Sequence, residues 1–291
     1  MFDADRYSFL THALGANRNL SILDIGANPI NEPIYALLRN QELCDVIGFE
    51  PQKVAFDTLQ SQKKSNETYV NAAVGDGSTQ DLYLYEMSGF TSFFKIHEGA
   101  VATLRGFWKG TREIGVVPLA TKPLDSIEDI QNVDLLKIDV QGAEYQVISS
   151  GKHKLENVVA VIIELRYFRL YEDEPRFGEI DSFLRSRGLV LHKFIDTKSG
   201  LINSTRAHKL RPRRANSQAI DGDAVYTKDI TKLGDFSLDQ LIQLALAADG
   251  VFYSFDLVLA LLDELVKQGV MKDAEIDAYS EMLPQHLRVP S

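Results

Sequence analysis

Two acidic residues follow short apolar runs near the N-terminus of the chain. Asp24 lies at the end of the run 20–25, just before Gly26, and Glu50 directly follows the run 45–49. Short apolar runs of this kind are typical of buried parallel strands, whose carboxyl ends meet at one edge of a sheet. Glycine there lets the backbone approach a ligand, and a carboxylate can accept hydrogen bonds from both hydroxyls of a ribose. The pattern predicts a cradle for an adenosyl cofactor.

The first turn departs from the glycine fingerprint of dinucleotide-binding proteins. That fingerprint would place glycines at 26, 28 and 31, but the chain has Gly26, Asn28 and Asn31. A close approach of the backbone to a pyrophosphate is therefore poorly supported. A cofactor without phosphates fits better, and S-adenosylmethionine could use Asp24, Gly26 and Glu50. An ordinary strand-to-helix turn is the alternative interpretation.

A second group of charged residues occurs in the segment 134–144. Lys137 and Asp139 are two positions apart, so on a strand both side chains point to the same face, where charge is unfavourable unless paired or used. Gly142 allows a tight turn into a following helix that begins near Glu144. Asp139 and Glu144 are therefore expected to meet above the sheet edge, close to a methyl donor. The alternatives to a role at a ligand site are that Lys137 forms an ion pair and that Asp139 caps the helix.

The composition is that of a soluble globular protein. Of 291 residues, 45% are hydrophobic and 25% charged, and the net charge of −10 disfavours non-specific binding to nucleic acid. No run approaches the length of a membrane span, and the N-terminus has no apolar core of secretory length. We therefore expect a cytoplasmic protein without a nucleic-acid partner. Its single cysteine, Cys44, excludes an intrachain disulfide and is expected in the core.

One basic cluster, 206–214, contrasts with the acidic net charge. It contains four arginines, a lysine and a histidine. Such a cluster is either a solvated loop or a clamp for an anionic acceptor such as a sugar phosphate or a nucleotide-linked glycan.

Strand-like and helix-like segments alternate through most of the chain. This alternation predicts a largely parallel sheet with ligands at the carboxyl ends of its strands. A long insertion, 75–132, is expected to form a lid or a substrate wall. The predicted strands are 20–25, 45–49, 69–74, 133–140, 158–164, 189–195 and 219–227.

The pattern becomes helical from Asp235 onward. Ser237 and Gln240 have capping-box spacing, and two amphipathic helices followed by a shorter one are predicted. We therefore divide the chain into a main domain, 1–234, and a helical extension, 235–291. The extension is too small to bury its apolar stripes alone, so it is expected to pack on the main domain or to form a homodimer.

The order of these motifs resembles that of FkbM-type methyltransferases. The resemblance covers roughly residues 20–228, and its most specific motif is the Lys-Ile-Asp-Val-x-Gly-Ala-Glu run that begins at Lys137. The matching motifs are Asp24-Ile25-Gly26-Ala27-Asn28, Gly48-Phe49-Glu50-Pro51, Asn71-Ala72-Ala73-Val74-Gly75-Asp76, Leu136-Lys137-Ile138-Asp139-Val140-Gln141-Gly142-Ala143-Glu144 and Ile163-Glu164-Leu165.

The resemblance implies a class I Rossmann-like fold, doubly wound around a mostly parallel seven-stranded sheet. It also implies S-adenosylmethionine-dependent O-methylation of a hydroxyl on a sugar, glycan or related natural product. Two features depart from the family pattern: the segment 29–33, where many members have a glycine, and the helical extension. By resemblance, the cofactor-binding residues are Asp24, Gly26, Ala27, Asn28, Glu50, Pro51, Ala73 and Asp139.

Removal of the acceptor proton requires a base. Asp139, Glu144 and Glu164 are the carboxylate candidates, and His97 in the insertion is a further one. No histidine lies in a metal-binding motif, so we expect no metal site, although carboxylate-bound magnesium stays open. Two other functions also stay open: an NAD-linked oxidoreductase, and a non-catalytic interaction module that uses the helical extension.

Overall fold

The computed structural model describes residues 2–289, which form eleven strands and nine α-helices. In chain order the strands are β1 (Leu20–Ile25), β2 (Cys44–Phe49), β3 (Glu67–Val70), β4 (Ala73–Val74), β5 (Thr79–Tyr85), β6 (Glu113–Lys122), β7 (Leu135–Ile138), β8 (Ala160–Arg166), β9 (Leu189–Phe194), β10 (Lys198–Gly200) and β11 (Gln218–Lys228). The helices are α1 (Ala4–Ala13), α2 (Ala36–Asn40), α3 (Lys53–Gln62), α4 (Glu98–Thr103), α5 (Glu144–Ser150), α6 (Phe177–Ser186), α7 (Leu238–Gly250), α8 (Phe255–Lys267) and α9 (Asp273–Glu281).

The central sheet has the spatial order β10-β11-β8-β7-β1-β2-β3, and β9 also pairs with β11. Strands β3, β2, β1, β7 and β8 are parallel, and β11 runs antiparallel to β8. The predicted doubly wound, mostly parallel Rossmann-like sheet is therefore confirmed. It has eight strands rather than seven, because the short β10 pairs antiparallel with β11 beside β9.

The predicted strand 69–74 is wrong as a single element. Only β3 belongs to the central sheet, and β4 pairs instead with Thr121 and Lys122 at the end of β6. The chain turns between them at Asn71, whose side-chain amide donates to the backbone oxygens of Glu50 and Pro51. These bonds hold the turn against the end of β2, so Ala73 leaves the sheet beside the cavity described below.

The insertion 75–132 forms an antiparallel pair, β5 and β6, and the chain between these two strands contains α4 and irregular segments. Together with β4 these strands form a second sheet of three strands. The insertion packs through a small apolar cluster that includes Tyr85, Leu104 and Tyr171.

Alternate residues of the central strands point into two separate cores. Ile22 of β1 belongs to the core that the sheet forms with α1, α7 and α8, whereas Leu23 belongs to the core under α5 and α6. This alternation is the period-two geometry of a strand with both faces covered. Cys44 is fully buried in the first core, as predicted.

The helical extension covers one face of the central sheet. The predicted capping box is confirmed: the Ser237 hydroxyl accepts from the Gln240 backbone N–H at 3.2 Å, and the Gln240 side chain accepts from the Ser237 N–H at 3.0 Å. A buried ion pair between Arg6 and Asp249, 2.7 Å long, joins α1 to α7. The extension therefore shares a core with the sheet, while the domain division at 234/235 and a homodimer through these helices stay predictions.

None of the helices in the described part of the chain combines the length and apolar composition needed to cross a bilayer.

Candidate active site

A cavity of about 650 Å³ lies at the carboxyl ends of β1, β2, β7 and β8, the edge where the sequence predicted a ligand. Its size is ordinary for a small-molecule site. The predicted site residues that line it are Asp24, Gly26, Asn28, Glu50, Pro51, Ala73, Asp139 and Glu164. Further parts of the wall come from the loop 30–34 and from residues of the insertion, namely Leu82, Ser88, Gly89, Thr91, Ser92 and Phe93.

Gly26 lies where two strand ends come into direct contact. Its φ is +86°, and a Cβ at this position would lie 2.1 Å from the backbone oxygen of Asp139. Only glycine tolerates both the conformation and the space. This contact places the Asp139 main chain directly against the turn that was predicted to hold the cofactor.

Asp24 is buried and interacts with the buried Tyr35 and with Lys137, which lines the cavity. The Tyr35 hydroxyl donates to its Oδ2 at 2.6 Å, and the Lys137 Nζ lies 3.3 Å from its Oδ1. Lys137 thus forms an ion pair with Asp24, which is the structural alternative considered for this lysine. Among the described residues Oδ1 accepts no hydrogen bond, so a donor on a bound ligand would complete the site.

Glu50 ends β2 and is 2% exposed. Its Oε1 accepts from the Gln52 backbone N–H at 2.7 Å, and its Oε2 makes no hydrogen bond within residues 2–289. Burial raises the pKa of Glu50 to about 7, although the Gln52 N–H and the Lys137 charge oppose the shift. Hydroxyl donors from a ligand would stabilise the ionised form.

The carboxylates of Asp139 and Glu164 are linked by Gln141. The Gln141 Nε2 lies 2.7 Å from the Asp139 Oδ1 and 3.0 Å from the Glu164 Oε2. Its Oε1 accepts from Arg166 at 2.7 Å and from the Tyr171 hydroxyl at 3.1 Å. Gln141 has a φ of +55°, an uncommon conformation for a residue with a side chain, and such strain occurs often at functional sites.

The surroundings shift the pKa values of the two carboxyl groups in opposite directions. Burial alone would raise the pKa of Asp139, but the charges of Lys137 and Arg166 outweigh it and hold the pKa below its ordinary value. Burial raises the pKa of Glu164 to about 8 despite Arg166, and the negative charge of Asp139 adds to the shift. The surroundings therefore favour ionisation of Asp139 over ionisation of Glu164.

Comparison with known families identifies the chain. A model of the FkbM methyltransferase domain matches residues 24–191. The chain belongs to the FkbM methyltransferase family. It is an S-adenosylmethionine-dependent methyltransferase, and the resemblance inferred from its motifs is confirmed. A search of the curated proteins finds no match.

Solved structures similar to this methyltransferase are distant. One is magnesium protoporphyrin IX methyltransferase from Synechocystis PCC 6803 with bound SAM, with 11% identity, 77% of each chain covered and a TM-score of 0.37. Another is precorrin-6y C5,15-methyltransferase from Geobacter metallireducens, with 12% identity, 77% of this chain and 87% of that chain covered, and a TM-score of 0.36.

The cavity of the methyltransferase fits an adenosyl cofactor. Gly26 lines it at the turn after β1, the buried Asp24 Oδ1 accepts no hydrogen bond from the described residues, and Glu50 presents a carboxylate oxygen. The segment 29–33, which departs from the family pattern, contains no helix, and α2 is reduced to five residues. This loop lines the cavity instead. At its start the Asn28 side-chain oxygen accepts a hydrogen bond from the Ile30 N–H at 3.0 Å.

Two predicted site residues of the methyltransferase lie outside the cavity lining. Ala27 packs behind the first turn against Leu59 and Tyr69. Glu144 is buried at the start of α5, where its carboxylate accepts from the backbone N–H groups of Val140 and Gly142 at 3.0 Å each. These bonds stabilise the tight turn, so Glu144 lies behind the strand end rather than at its tip.

His97, the histidine candidate for the base, is also outside the lining. It precedes α4, and its backbone N–H donates to the Leu170 oxygen at 2.8 Å. The bridge between Ile96 and Tyr171 fixes this segment away from the cavity.

Three carboxylates come close enough together to suggest a cation site. Single oxygens of Asp139, Glu144 and Glu164 lie within 4.8 Å of one another. Arg166 supplies the positive charge there: its guanidinium lies 2.7 Å from Glu164 and 2.9 Å from Asp221. The arrangement is that of an ion-pair network.

Sequence reasoning missed four side chains of this site: Tyr35, Gln141, Arg166 and Lys198. Gln141 was within the most specific motif, and Arg166 follows Glu164 by two positions on the same strand. That spacing was a usable signal, because both side chains must share one face. Lys198, whose Nζ lies 3.3 Å from Glu164, reaches the site from β10, and no local pattern indicates this.

Proposed function

We propose that this methyltransferase O-methylates a hydroxyl group of a sugar, a glycan or a related natural product. The observation that supports the proposal is the position of Asp139, an ionised carboxylate on the cavity wall whose main chain contacts the cofactor turn at Gly26. A hydroxyl must lose its proton as the methyl group is transferred, and an adjacent carboxylate can accept it.

The residues of the chain divide into two groups in this proposal. Asp24 and Glu50 hold the amino and ribose groups of the cofactor, and Gly26, Asn28, Pro51 and Ala73 shape the space around it. When bound, S-adenosylmethionine supplies an electrophilic methyl group on a sulfonium. Asp139 accepts the hydroxyl proton, because its lowered pKa makes it the more readily ionised of the two carboxyl groups.

Positioning contributes most of the rate enhancement in such a direct displacement, because the acceptor oxygen must be held in line with the methyl group and away from water. Gln141 and Arg166 hold the two carboxyl groups from behind and are positioning residues. Lys198 and Asp223, which also line the cavity, offer further polar groups to an acceptor rich in hydroxyls.

The test is product identification. The full chain is incubated with methyl-labelled S-adenosylmethionine and a fractionated cell extract, with Asp139→Asn as the matched control, and labelled products are identified by mass spectrometry. The expected product is a methyl ether on a hydroxylated compound, absent with the variant. Label on nitrogen, carbon or sulfur would contradict the proposal.

A further inference from the structure

Two segments beside the cavity rim carry only positive charge. The stretches 99–112 and 197–220 contain no Asp or Glu, although the chain as a whole has a net charge of −10. All nine of their Lys and Arg side chains are exposed. We call the basic surface the seven that remain after Arg112 and Lys198 are set aside: Arg105, Lys109, Arg206, Lys209, Arg211, Arg213 and Arg214.

The charges of the basic surface are not neutralised by the protein. Arg112 pairs with Glu86, and Lys198 bridges Glu164 and Asp221. The seven cations of the basic surface, in contrast, form no ion pair with any residue of the range 2–289. Each is therefore available to an external anion.

Exposed apolar side chains accompany the basic surface. The indole of Trp108 is 64% exposed, with the Lys109 Nζ lying 5.9 Å from its ring centroid. Ile202 and Leu210, on the second segment, are each 49% exposed, and Met87 is 55% exposed. An exposed Trp among cations and aliphatic side chains is the composition of proteins that bind the interfacial region of a membrane.

Backbone hydrogen bonds join the two segments to each other. The Arg105 N–H donates to the Leu201 oxygen at 2.8 Å, and the Asn203 N–H donates to the Thr103 oxygen at 2.7 Å. The two segments therefore lie side by side, and the basic surface takes its cations from both the insertion and the loop that follows β10.

The same face is connected to the cavity wall. The Met87 N–H donates to the Gly110 oxygen at 3.1 Å, and Ser88 and Gly89, which follow in sequence, line the cavity. The ring of Phe90 packs edge-on against Phe107 at a centroid distance of 5.4 Å. The exposed Trp108 thus adjoins the cavity rim.

We propose that the basic surface docks the methyltransferase on an anionic phospholipid bilayer. The cations are spread over exposed loops and do not converge on a buried pocket, so they fit an extended anionic surface better than a single phosphate group. Trp108, Ile202 and Leu210 supply the apolar contact that a soluble polyanion would not require. Docking in this way turns the cavity rim towards the membrane and does not depend on which acceptor is methylated.

Vesicle co-sedimentation of the full chain tests this proposal. The protein should sediment with phosphatidylcholine vesicles that contain phosphatidylglycerol, and much less with pure phosphatidylcholine. The triple variant Arg211→Gln/Arg213→Gln/Arg214→Gln should bind about a hundredfold more weakly, since each cation near an anionic membrane contributes about fivefold. Trp108→Ala should weaken binding by about tenfold through loss of interfacial contact.

The matched control removes the same charge elsewhere: Lys267→Gln/Lys272→Gln/Arg288→Gln on the helical extension should bind vesicles like the wild type. Melting temperature and S-adenosylmethionine titration verify that each variant is folded. Equal binding to neutral and anionic vesicles, or equal binding by the two triple variants, would overturn the proposal. Binding of a soluble polyphosphate without binding of vesicles would instead assign the basic surface to a soluble anion.

Discussion

Asp139 follows β7, Glu164 lies near the carboxyl end of the neighbouring parallel strand β8, and the two share one hydrogen-bond donor, the side-chain amide of Gln141. Both carboxyl groups line the cavity, yet the nearby charges of Lys137 and Arg166 favour ionisation of Asp139, while burial favours the proton on Glu164. Two chemically similar groups are thereby given different roles by their surroundings, as is common in acid–base sites.

The first prediction concerns these two residues. Asp139→Asn preserves shape and removes the anion, so turnover should fall by about two to four orders of magnitude with little change in cofactor affinity. Glu164→Gln imitates the protonated state of Glu164 and should keep turnover within about tenfold of the wild type near neutral pH. Single-turnover assays and cofactor titration measure both quantities. Normal turnover by Asp139→Asn, with loss in Glu164→Gln, would move the base to Glu164.

The second prediction concerns pH and Glu50. Its pKa is about 7 in the free protein, and only the ionised carboxylate accepts hydrogen bonds from both ribose hydroxyls. Affinity for S-adenosylmethionine should therefore increase about tenfold as the pH rises from one unit below 7 to one unit above it. Isothermal titration at several pH values measures this rise. Glu50→Gln should bind more weakly and without the rise, and an unchanged pH profile in that variant would remove Glu50 from the ribose role.

The third prediction concerns the contact between Gly26 and the Asp139 backbone. Gly26→Ala adds a Cβ where only 2.1 Å is available, so cofactor binding should be lost and the melting temperature lowered. Gly15→Ala is the matched control, because Gly15 also has a positive φ, +57°, but has open space around it. The control should lose about 1–2 kcal/mol of stability and retain cofactor affinity. Equal behaviour of the two variants would show that the close contact is unimportant.

The fourth prediction concerns the helical extension. Truncation at Asp235 would expose the sheet face that α7 and α8 cover, so the remaining chain should aggregate or change its oligomeric state.

Leu262→Ala, at a fully buried position of α8, should reduce the free energy of unfolding by about 2–5 kcal/mol. Leu238→Ala, at a 45% exposed position, is the control and should change it by about 0.5 kcal/mol or less. Sedimentation and thermal unfolding measure these effects. If the truncated chain stays soluble with an unchanged melting temperature, the extension is an independent appendage.

Local sequence patterns determined much of the fold. The apolar run ending at Ile25 became β1, and the spacing of Ser237 and Gln240 became a capping box, because both signals act between residues close in sequence. Gly26, Glu50 and Asp139 were placed at one sheet edge from the sequence, since parallel strands present their carboxyl ends together. The family resemblance rested on these same segments.

Only the tertiary structure decided which acids face the cavity and what surrounds them. Glu144 lies near Asp139 as expected, but it does not line the cavity, because its carboxylate accepts hydrogen bonds from backbone N–H groups of the preceding turn. Lys198 contacts Glu164 from a strand that pattern reasoning missed. The charge states of Asp139 and Glu164 depend on burial and on Arg166, and these are set by long-range packing that no local spacing encodes.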